Sequence, residues 1–364
     1  MISRIRKLQQ KTKENTQFLE RNYLYGHIIP DFQSRLTLIE KIILERKIHI
    51  FIGTWNMNGQ KPLNNLNGFL IPNDSEMIAD LIIIGTQETC MYNISQWENN
   101  ILNIIGSTHI LRKRKQFGRL RLSLFLRREL IIFSSLSETN VILSSKYTIL
   151  KTKGAISLGL IIFGSSFLFI MVHLTPHPKN TIKRIEEIKN IIRLLNVPKK
   201  LPLRNSFEDS TDNFDSVFLF GDLNFRLNKS REDVMNWIST SHFSKKTPIN
   251  LNNDQLKILL DNQIILHKFN EAPITFPPTY KYNHGSQLLD SSGNYRTPAY
   301  TDRILYKSNI HFKNPNDKKK TQMKNEEIKC IIYDSTRSIC SSDHKPVYGI
   351  FAVKIRAGMN TLHF

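Results

Sequence analysis

Cysteine is nearly absent from this chain of 364 residues; Cys90, Cys330 and Cys340 are far apart and odd in number. Their scarcity excludes a disulfide framework or a zinc cluster and fits a reducing compartment. Acidic residues are also few: 31 Asp and Glu face 51 Lys and Arg, a formal charge of +20. So large an imbalance points to an anionic partner, whether nucleic acid, a membrane surface or a phosphorylated substrate, without choosing among them. The start, Met1 to Lys13, has no apolar run of the secretory kind. Ile2, Ile5 and Leu8 share a helical face there, and packing on the chain's own domain is the plainer reading over a membrane or a partner.

Long charge-free runs are missing too, with one exception from Ala155 to Val172. About 18 apolar residues are enough to cross a bilayer. Its middle, however, is Gly164-Ser165-Ser166, between Leu160-Ile161-Ile162-Phe163 and Phe167-Leu168-Phe169-Ile170. Turn residues between two β-branched and aromatic runs predict a buried hairpin, so no transmembrane segment is expected. Hydrophobic residues make up 40 % of the chain, enough for a large core.

Residues 1–47 read mainly as helix, with Leu36, Ile39, Ile42 and Ile43 at helical spacing. Apolar runs Ile48–Ile52, Leu81–Ile84 and Val217–Phe220 follow, each ending in polar residues. Continuous runs of this length suit strands buried on both faces, which aim the following residues into a common cleft. Helices are predicted around Ile182, Ile185, Ile188, Ile191 and Ile192, and over Asp254 to Asn262. Lys199 to Ser216, and Asn314 to Glu327 with Lys318-Lys319-Lys320, read as surface loops. Strands alternate with helices through residue 354 without a linker, so one α/β domain is expected.

Six polar clusters sit at the ends of apolar runs: Trp55-Asn56, Gln87-Glu88, His173-Leu174, Gly221-Asp222-Leu223-Asn224, Thr301-Asp302-Arg303 and Ser342-Asp343-His344. They offer carboxylates, amides and two histidines, and no suitable cysteine nucleophile. Hard oxygen ligands suit Mg²⁺, and the set suggests metal-assisted attack of water on phosphorus. Each cluster alone is weak, because a strand-end Asp is usually a turn former and a lone His usually structural.

Together the clusters resemble the inositol polyphosphate 5-phosphatases, within the DNase I-like endonuclease/exonuclease/phosphatase superfamily. Two signatures of that family stand at Phe218-Leu-Phe-Gly-Asp-Leu-Asn-Phe-Arg-Leu227 and Arg296-Thr-Pro-Ala-Tyr-Thr-Asp-Arg-Ile-Leu305. Gly53-Thr-Trp-Asn56, Lys153-Gly154, Pro277-Pro-Thr-Tyr-Lys-Tyr282 and Ser341-Ser-Asp-His-Lys-Pro-Val347 support them. Asn56-Met-Asn-Gly-Gln-Lys61 and Tyr300-Thr301 are most similar to the type IV branch; other branches often have Trp-Cys at the latter pair.

The resemblance implies a four-layer α/β sandwich, two mixed β-sheets packed face to face with helices outside. It implies removal of the 5-phosphate from phosphatidylinositol 4,5-bisphosphate and 3,4,5-trisphosphate, with Mg²⁺. Glu88 would ligate the metal with Asn56 beside it and Asp343 on the same side. Asp222 would orient or deprotonate the attacking water, and Asn224 would help hold the scissile phosphate. His344, oriented by Asp302, would hydrogen-bond that phosphate, and His173 would be a second phosphate-facing histidine. Tyr280, Lys281 and Arg296 would grip the neighbouring 4-phosphate.

The expected layout is a helical extension over 1–47, a catalytic domain over 48–355 and a tail over 356–364. A monomer in the cytoplasm is expected, peripherally attached to anionic membranes that hold its phosphoinositide lipids, with no nucleic acid partner. Two features depart from the family. Asn294 stands where many relatives carry a lysine, and Pro176-His177-Pro178 replaces small or polar residues, with His177 expected to be exposed. Asn360-Thr-Leu-His-Phe364 has no cysteine for a prenyl group, so organelle targeting is not expected to carry over. Arg112, Lys113, Arg114, Lys115, Arg119, Arg121, Arg127 and Arg128 fall in one acid-free stretch around a strand with Leu120, Leu122, Leu124 and Leu126. Its cations either share a membrane-facing surface or are simply solvated. The rival readings are a nuclease of the same superfamily and a catalytically dead module that binds anionic membranes.

Overall fold

The computed structural model describes residues 32–356, apart from 62, 64, 72–78, 91–93, 144–152, 204–206, 242, 245–246, 294 and 310–326. Ile2, Ile5, Leu8, Asn294, the Lys318 segment and the 360–364 end therefore lie outside the described residues. Helix α1 spans Phe32–Glu45, strand β1 Lys47–Asn56, the short helix α2 Asn67–Leu70 and strand β2 Leu81–Gln87. Helix α3 (Ile94–Ile105) leads to strands β3 (His109–Phe117), β4 (Leu120–Arg127) and β5 (Glu138–Leu143). Strands β6 (Gly154–Ile162) and β7 (Ser165–His173) precede helix α4 (Thr181–Arg193) and strand β8 (Ser216–Asp222). Helices α5 (Arg231–Thr240) and α6 (Gln255–Asp261) follow, then strands β9 (Asn270–Glu271), β10 (Asp302–Ser308), β11 (Ile328–Ser335) and β12 (Val347–Lys354).

The strands form two six-stranded sheets, ordered β11-β12-β1-β2-β4-β3 and β5-β6-β7-β8-β10-β9. Each is mixed: β1 and β2 run parallel in the first, β7 and β8 in the second, and the other pairings are antiparallel. Three apolar clusters define the layers. One joins Ile50 and Ile52 of the first sheet to Phe169 and Phe218 of the second. Phe218 meets Phe351 across the interface with ring centroids 5.2 Å apart. A second cluster seats α4 and α6 on the outer face of β7 and β8 through Ile188, Ile191 and Leu256. A third seats α3 on the outer face of β1 and β2 through Trp97, Ile101 and Ile105. Strands covered on both faces explain the unbroken apolar runs of β1, β2 and β8. The result is the expected four-layer sandwich.

The charge-free run is the expected hairpin, β6 paired to β7 from Gly154↔His173 to Ile162↔Ser165 around a Gly164 with φ of +72°. No helix among the described residues is long and apolar enough to cross a membrane. Lys199 to Ser216 is less of a surface loop than its composition suggests: Thr211 and Phe214 are buried, and Ser216 opens β8. In the basic stretch, Leu120, Leu122, Leu124 and Leu126 do point into the core. The arginines do not share one exposed face. Arg121 is buried beside Glu98, Arg114 also faces Glu98 at 3.6 Å, and Arg127 pairs with Asp80 at 3.2 Å. Arg112 and Arg128 donate to the carbonyls of Ser135 and Ser107.

Candidate active site

The parallel pairs β1–β2 and β7–β8 end on the same side of the sandwich. Register places Asn56 beside Gln87 in one sheet, and His173 and Asp302 on either side of Asp222 in the other. The sheets thus bring distant segments to one cleft by pairing alone. Asn56 Nδ2 bridges them, donating to Asp222 Oδ2 at 3.0 Å. Ser342 ties in the loop before β12, its hydroxyl donating to the Asn56 carbonyl at 2.7 Å.

Asp222 is buried, with His173 Nε2 3.3 Å from Oδ2 and the Asn224 amide donating to Oδ1 at 3.1 Å. Burial alone would raise its pKa. The hydrogen bond from His173 and the charges of His344, His173 and Lys153 outweigh it and hold Asp222 well below the usual carboxylate range. His173 is held down by burial and by the neighbouring Lys153 ammonium. Its Nε2 lies in contact with Lys153 Nζ and 3.8 Å from Glu88 Oε1.

His344 is set differently. Its Nδ1 lies 2.9 Å from Asp302 Oδ2, and the Thr279 and Thr301 hydroxyls donate to that same oxygen at 2.7 and 2.8 Å. Burial disfavours the charged ring, yet Asp302, with further help from Asp222 and Asp343, raises His344 to about 9. The ring is therefore an imidazolium at neutral pH, with Nε2–H left as its second donor. A carboxylate held in its ionised form thus stands close to a ring with a free N–H donor.

Glu88 lies one residue past β2, its backbone at φ +50° and its side chain 28 % exposed. Left-handed backbone at a non-glycine residue costs about 1–3 kcal/mol and persists when its surroundings over-determine it. Here the Gly59 amide donates to the Glu88 carbonyl at 2.7 Å, and Arg119 Nη2 donates to it at 3.2 Å. Asp343 Oδ2 stands 3.9 Å from Lys281 Nζ.

The donor set fits a hard divalent cation. Glu88, Asp222 and Asp343 are carboxylates, Asn56 offers an amide oxygen, and Asp302 Oδ1 is a buried acceptor with no partner. Atoms of Asp222, Asp302 and His344 lie within 4.8 Å of one another.

Tyr280 packs against His344 with ring centroids 4.6 Å apart and the planes tilted by 42°, and its backbone bridges both Ala299 and His344. Lys281 follows at the rim. Arg296 connects through the main chain: its amide donates to Asp290 Oδ2 at 2.9 Å, and the Asp290 amide donates to the Lys281 carbonyl at 2.8 Å. Asn56, His173, Asp222, Asn224, Asp302 and His344 thus come together in one cleft, with Tyr280 against His344, while Arg296 is tied to Lys281 only through Asp290. The sequence reading gave no role to Lys153 or Arg226, though both lie inside recognised motifs. Arg226 covers the Tyr280 ring at 4.4 Å and donates to Asn224 Oδ1 at 2.7 Å. Nor did it single out Thr279 or Asp290, whose residue types carry no signal by themselves. His177 is exposed, as expected.

Comparison with known proteins agrees with this geometry. The family model described as Endonuclease/Exonuclease/phosphatase family 2 matches residues 53–350. Phosphatidylinositol polyphosphate 5-phosphatase type IV of Mus musculus is 37 % identical over 328 residues, 87 % of this chain and 47 % of that protein. Phosphatidylinositol 3,4,5-trisphosphate 5-phosphatase 2 of Homo sapiens is 28 % identical over 328 residues, 85 % of this chain and 24 % of that protein. The chain thus spans about half the length of its type IV relative. The likeness to the type IV branch read from Asn56 to Lys61 is repeated in these identities. A solved structure, the inositol polyphosphate 5-phosphatase domain (IPP5C) of SPsynaptojanin with inositol (1,4)-bisphosphate and calcium ion, matches with a TM-score of 0.69. Identity there is 25 %, covering 90 % of this chain and 92 % of that one.

Proposed function

Because the chain belongs to the Endonuclease/Exonuclease/phosphatase family 2, we propose that it hydrolyses the 5-phosphate of phosphoinositides with the help of Mg²⁺. The observation that carries this reading is the convergence, in one cleft, of Asp222, bonded by Asn56 and facing His173, with His344 held by Asp302. The catalytic unit is taken as residues 48–355, with 1–47 and 356–364 as flanking segments. The relatives' names supply the substrate class, phosphatidylinositol polyphosphates including the 3,4,5-trisphosphate, and the 4,5-bisphosphate lipid is proposed beside it.

Asp222 orients the attacking water and accepts its proton, its oxygens aimed by Asn56 and by the Asn224 amide. His344, locked by Asp302, donates to the non-bridging oxygens as charge builds on them. Asn224 is held by Arg226 and by the Leu174 carbonyl, and its second amide hydrogen serves the same phosphate. His173 lies against Asp222 as the second histidine facing the phosphate. Glu88, with Asn56 and Asp343 near it, would hold the cation, which neutralises phosphate charge when bound. Tyr280, Lys281 and Arg296 take the 4-phosphate. Lipid substrate brings the protein to anionic membrane from the aqueous side, as a monomer in the cytoplasm.

Phosphate release across inositol lipids, soluble inositol phosphates and a nicked plasmid tests the proposal. Release from 5-phosphorylated inositols in Mg²⁺, lost in EDTA, is the expected result. Plasmid cleavage without phosphate release would select a nuclease. Lipid binding without turnover would select an inactive membrane module.

A further inference from the structure

Lys281 and Arg296 lie 15 positions apart in the chain, and one buried residue, Asp290, joins them, by its main-chain amide to Lys281 and by its carboxylate to Arg296. Asp290 is 1 % exposed and uses nearly every polar atom it has. Its amide donates to the Lys281 carbonyl at 2.8 Å. Its Oδ2 accepts from the Arg296 amide at 2.9 Å, and its Oδ1 from the Ser292 amide at 3.0 Å. From the other side Arg231, the first residue of α5, donates Nη2 to the Asp290 carbonyl at 2.6 Å and Nη1 to the Arg296 carbonyl. Ser230 caps that helix, accepting from the Asp233 amide, so Arg231 is held on a fixed element.

We infer that Asp290, clamped by Arg231, is a positioning residue that sets the placement of Lys281 and Arg296 and thereby selects substrates with a phosphate next to the scissile one. The inference rests on the phosphatase reading above. Both cations keep their side chains for ligand while their main chains are fixed: the Arg296 amide is held by Asp290 and its carbonyl by Arg231, neither through the guanidinium. Among the described residues Lys281 pairs with Asp343 at 3.9 Å, a contact loose enough to yield to a phosphate. The Lys281 charge also bears on the Asp290 carboxylate, one of the influences that hold it below its ordinary range despite burial. Two long cationic side chains on separate loops discriminate a phosphate only when their anchors are fixed, because disorder at either base spreads their charge over many positions.

Asn in place of Asp290 offers one oxygen where the Arg296 and Ser292 amides need two, so the segment that carries Arg296 is loosened while the main-chain bond to Lys281 and the shape are kept. The test measures kcat/KM on two short-chain inositol lipids, one with 4- and 5-phosphates and one with the 5-phosphate alone. Asp290→Asn should lower the preference for the 4,5-substrate about tenfold, mainly through KM, and Arg231→Gln should lower it in the same direction by a smaller factor. Calorimetric binding of inositol 1,4-bisphosphate against inositol 1-phosphate reads the same preference without turnover. It should narrow by the same factor in variants whose melting stays cooperative. Equal losses on both substrates, or an unchanged binding preference, overturn the inference and leave the phosphatase reading standing. A wild-type protein that releases phosphate from neither substrate overturns both.

Discussion

The two parallel strand pairs do the same architectural job in unlike ways. In the β7–β8 sheet, His173, Asp222 and Asp302 are register partners inside the strands, all three buried, and strand pairing alone sets their spacing. In the β1–β2 sheet only Asn56 lies within a strand; Glu88 sits one residue beyond, on left-handed backbone and partly open to water. One side is built to fix a proton acceptor and its neighbours. The other ends in a loop held by the Gly59 amide and Arg119, the more open place expected for an exchangeable cation. Rigid geometry and ligand access are thus divided between the two sheets.

The largest effects should fall on the buried side. Asp222→Asn should lower turnover by about 10²–10⁴-fold, the range of a positioned base, and raising Mg²⁺ should not restore it. Glu88→Gln should lose activity that high Mg²⁺ partly recovers. A titration in which Mg²⁺ rescues Asp222→Asn and leaves Glu88→Gln inactive would reverse the division.

A pH series tests the buried side without turnover. His344 is raised from 6.5 to about 9, so its contribution to stability is complete below pH 6.5 and is lost as pH rises through 9. The shift corresponds to something on the order of 3 kcal/mol. Metal-free protein should melt several degrees lower at pH 10 than at pH 7, and His344→Asn should flatten that slope. An equal slope in the variant would detach the ring from Asp302.

At the rim the effects shrink. Lys281→Ala should cost about 1.5–3 kcal/mol, or roughly ten- to a hundredfold, on a 4,5-bisphosphorylated substrate and spare one that lacks the 4-phosphate. Equal losses on both would assign Lys281 to the fold or to the scissile phosphate. The smallest change is expected on β3. Arg112 and Arg114 already bond within the protein, so neutralising Lys113 and Lys115 should weaken binding to anionic vesicles by at most about 2 kcal/mol. The loss should disappear in high salt, beyond a Debye length of about 3 Å at 1 M. Vesicle binding that ignores both the substitutions and salt would move the membrane contact away from β3.

Much of the architecture was legible because buried strands write themselves as unbroken apolar runs and put polar residues at their ends. The hairpin of β6 and β7 was readable despite its likeness to a membrane span, since Gly164 and its serines interrupt it. Residues that act through another residue's backbone were not legible. Asp290 receives its partners across loops and nothing local marks it, and Thr279, though inside the Pro277 to Tyr282 segment, reaches Asp302 from 23 positions away, so its role was not legible. Charge was the most misleading signal. A run of cations reads as surface, yet Arg121 is carried into the core because Glu98 on α3 lies opposite it, and the pair offsets part of the cost of burial.

The central claim is that this cleft removes one particular phosphate, and the most direct measurement is the position of the phosphate that remains. Wild-type protein in Mg²⁺, given a short-chain phosphatidylinositol 4,5-bisphosphate, should release one equivalent of inorganic phosphate and leave the 4-phosphate on the ring. A product that keeps the 5-phosphate, or no release at all, would contradict the account.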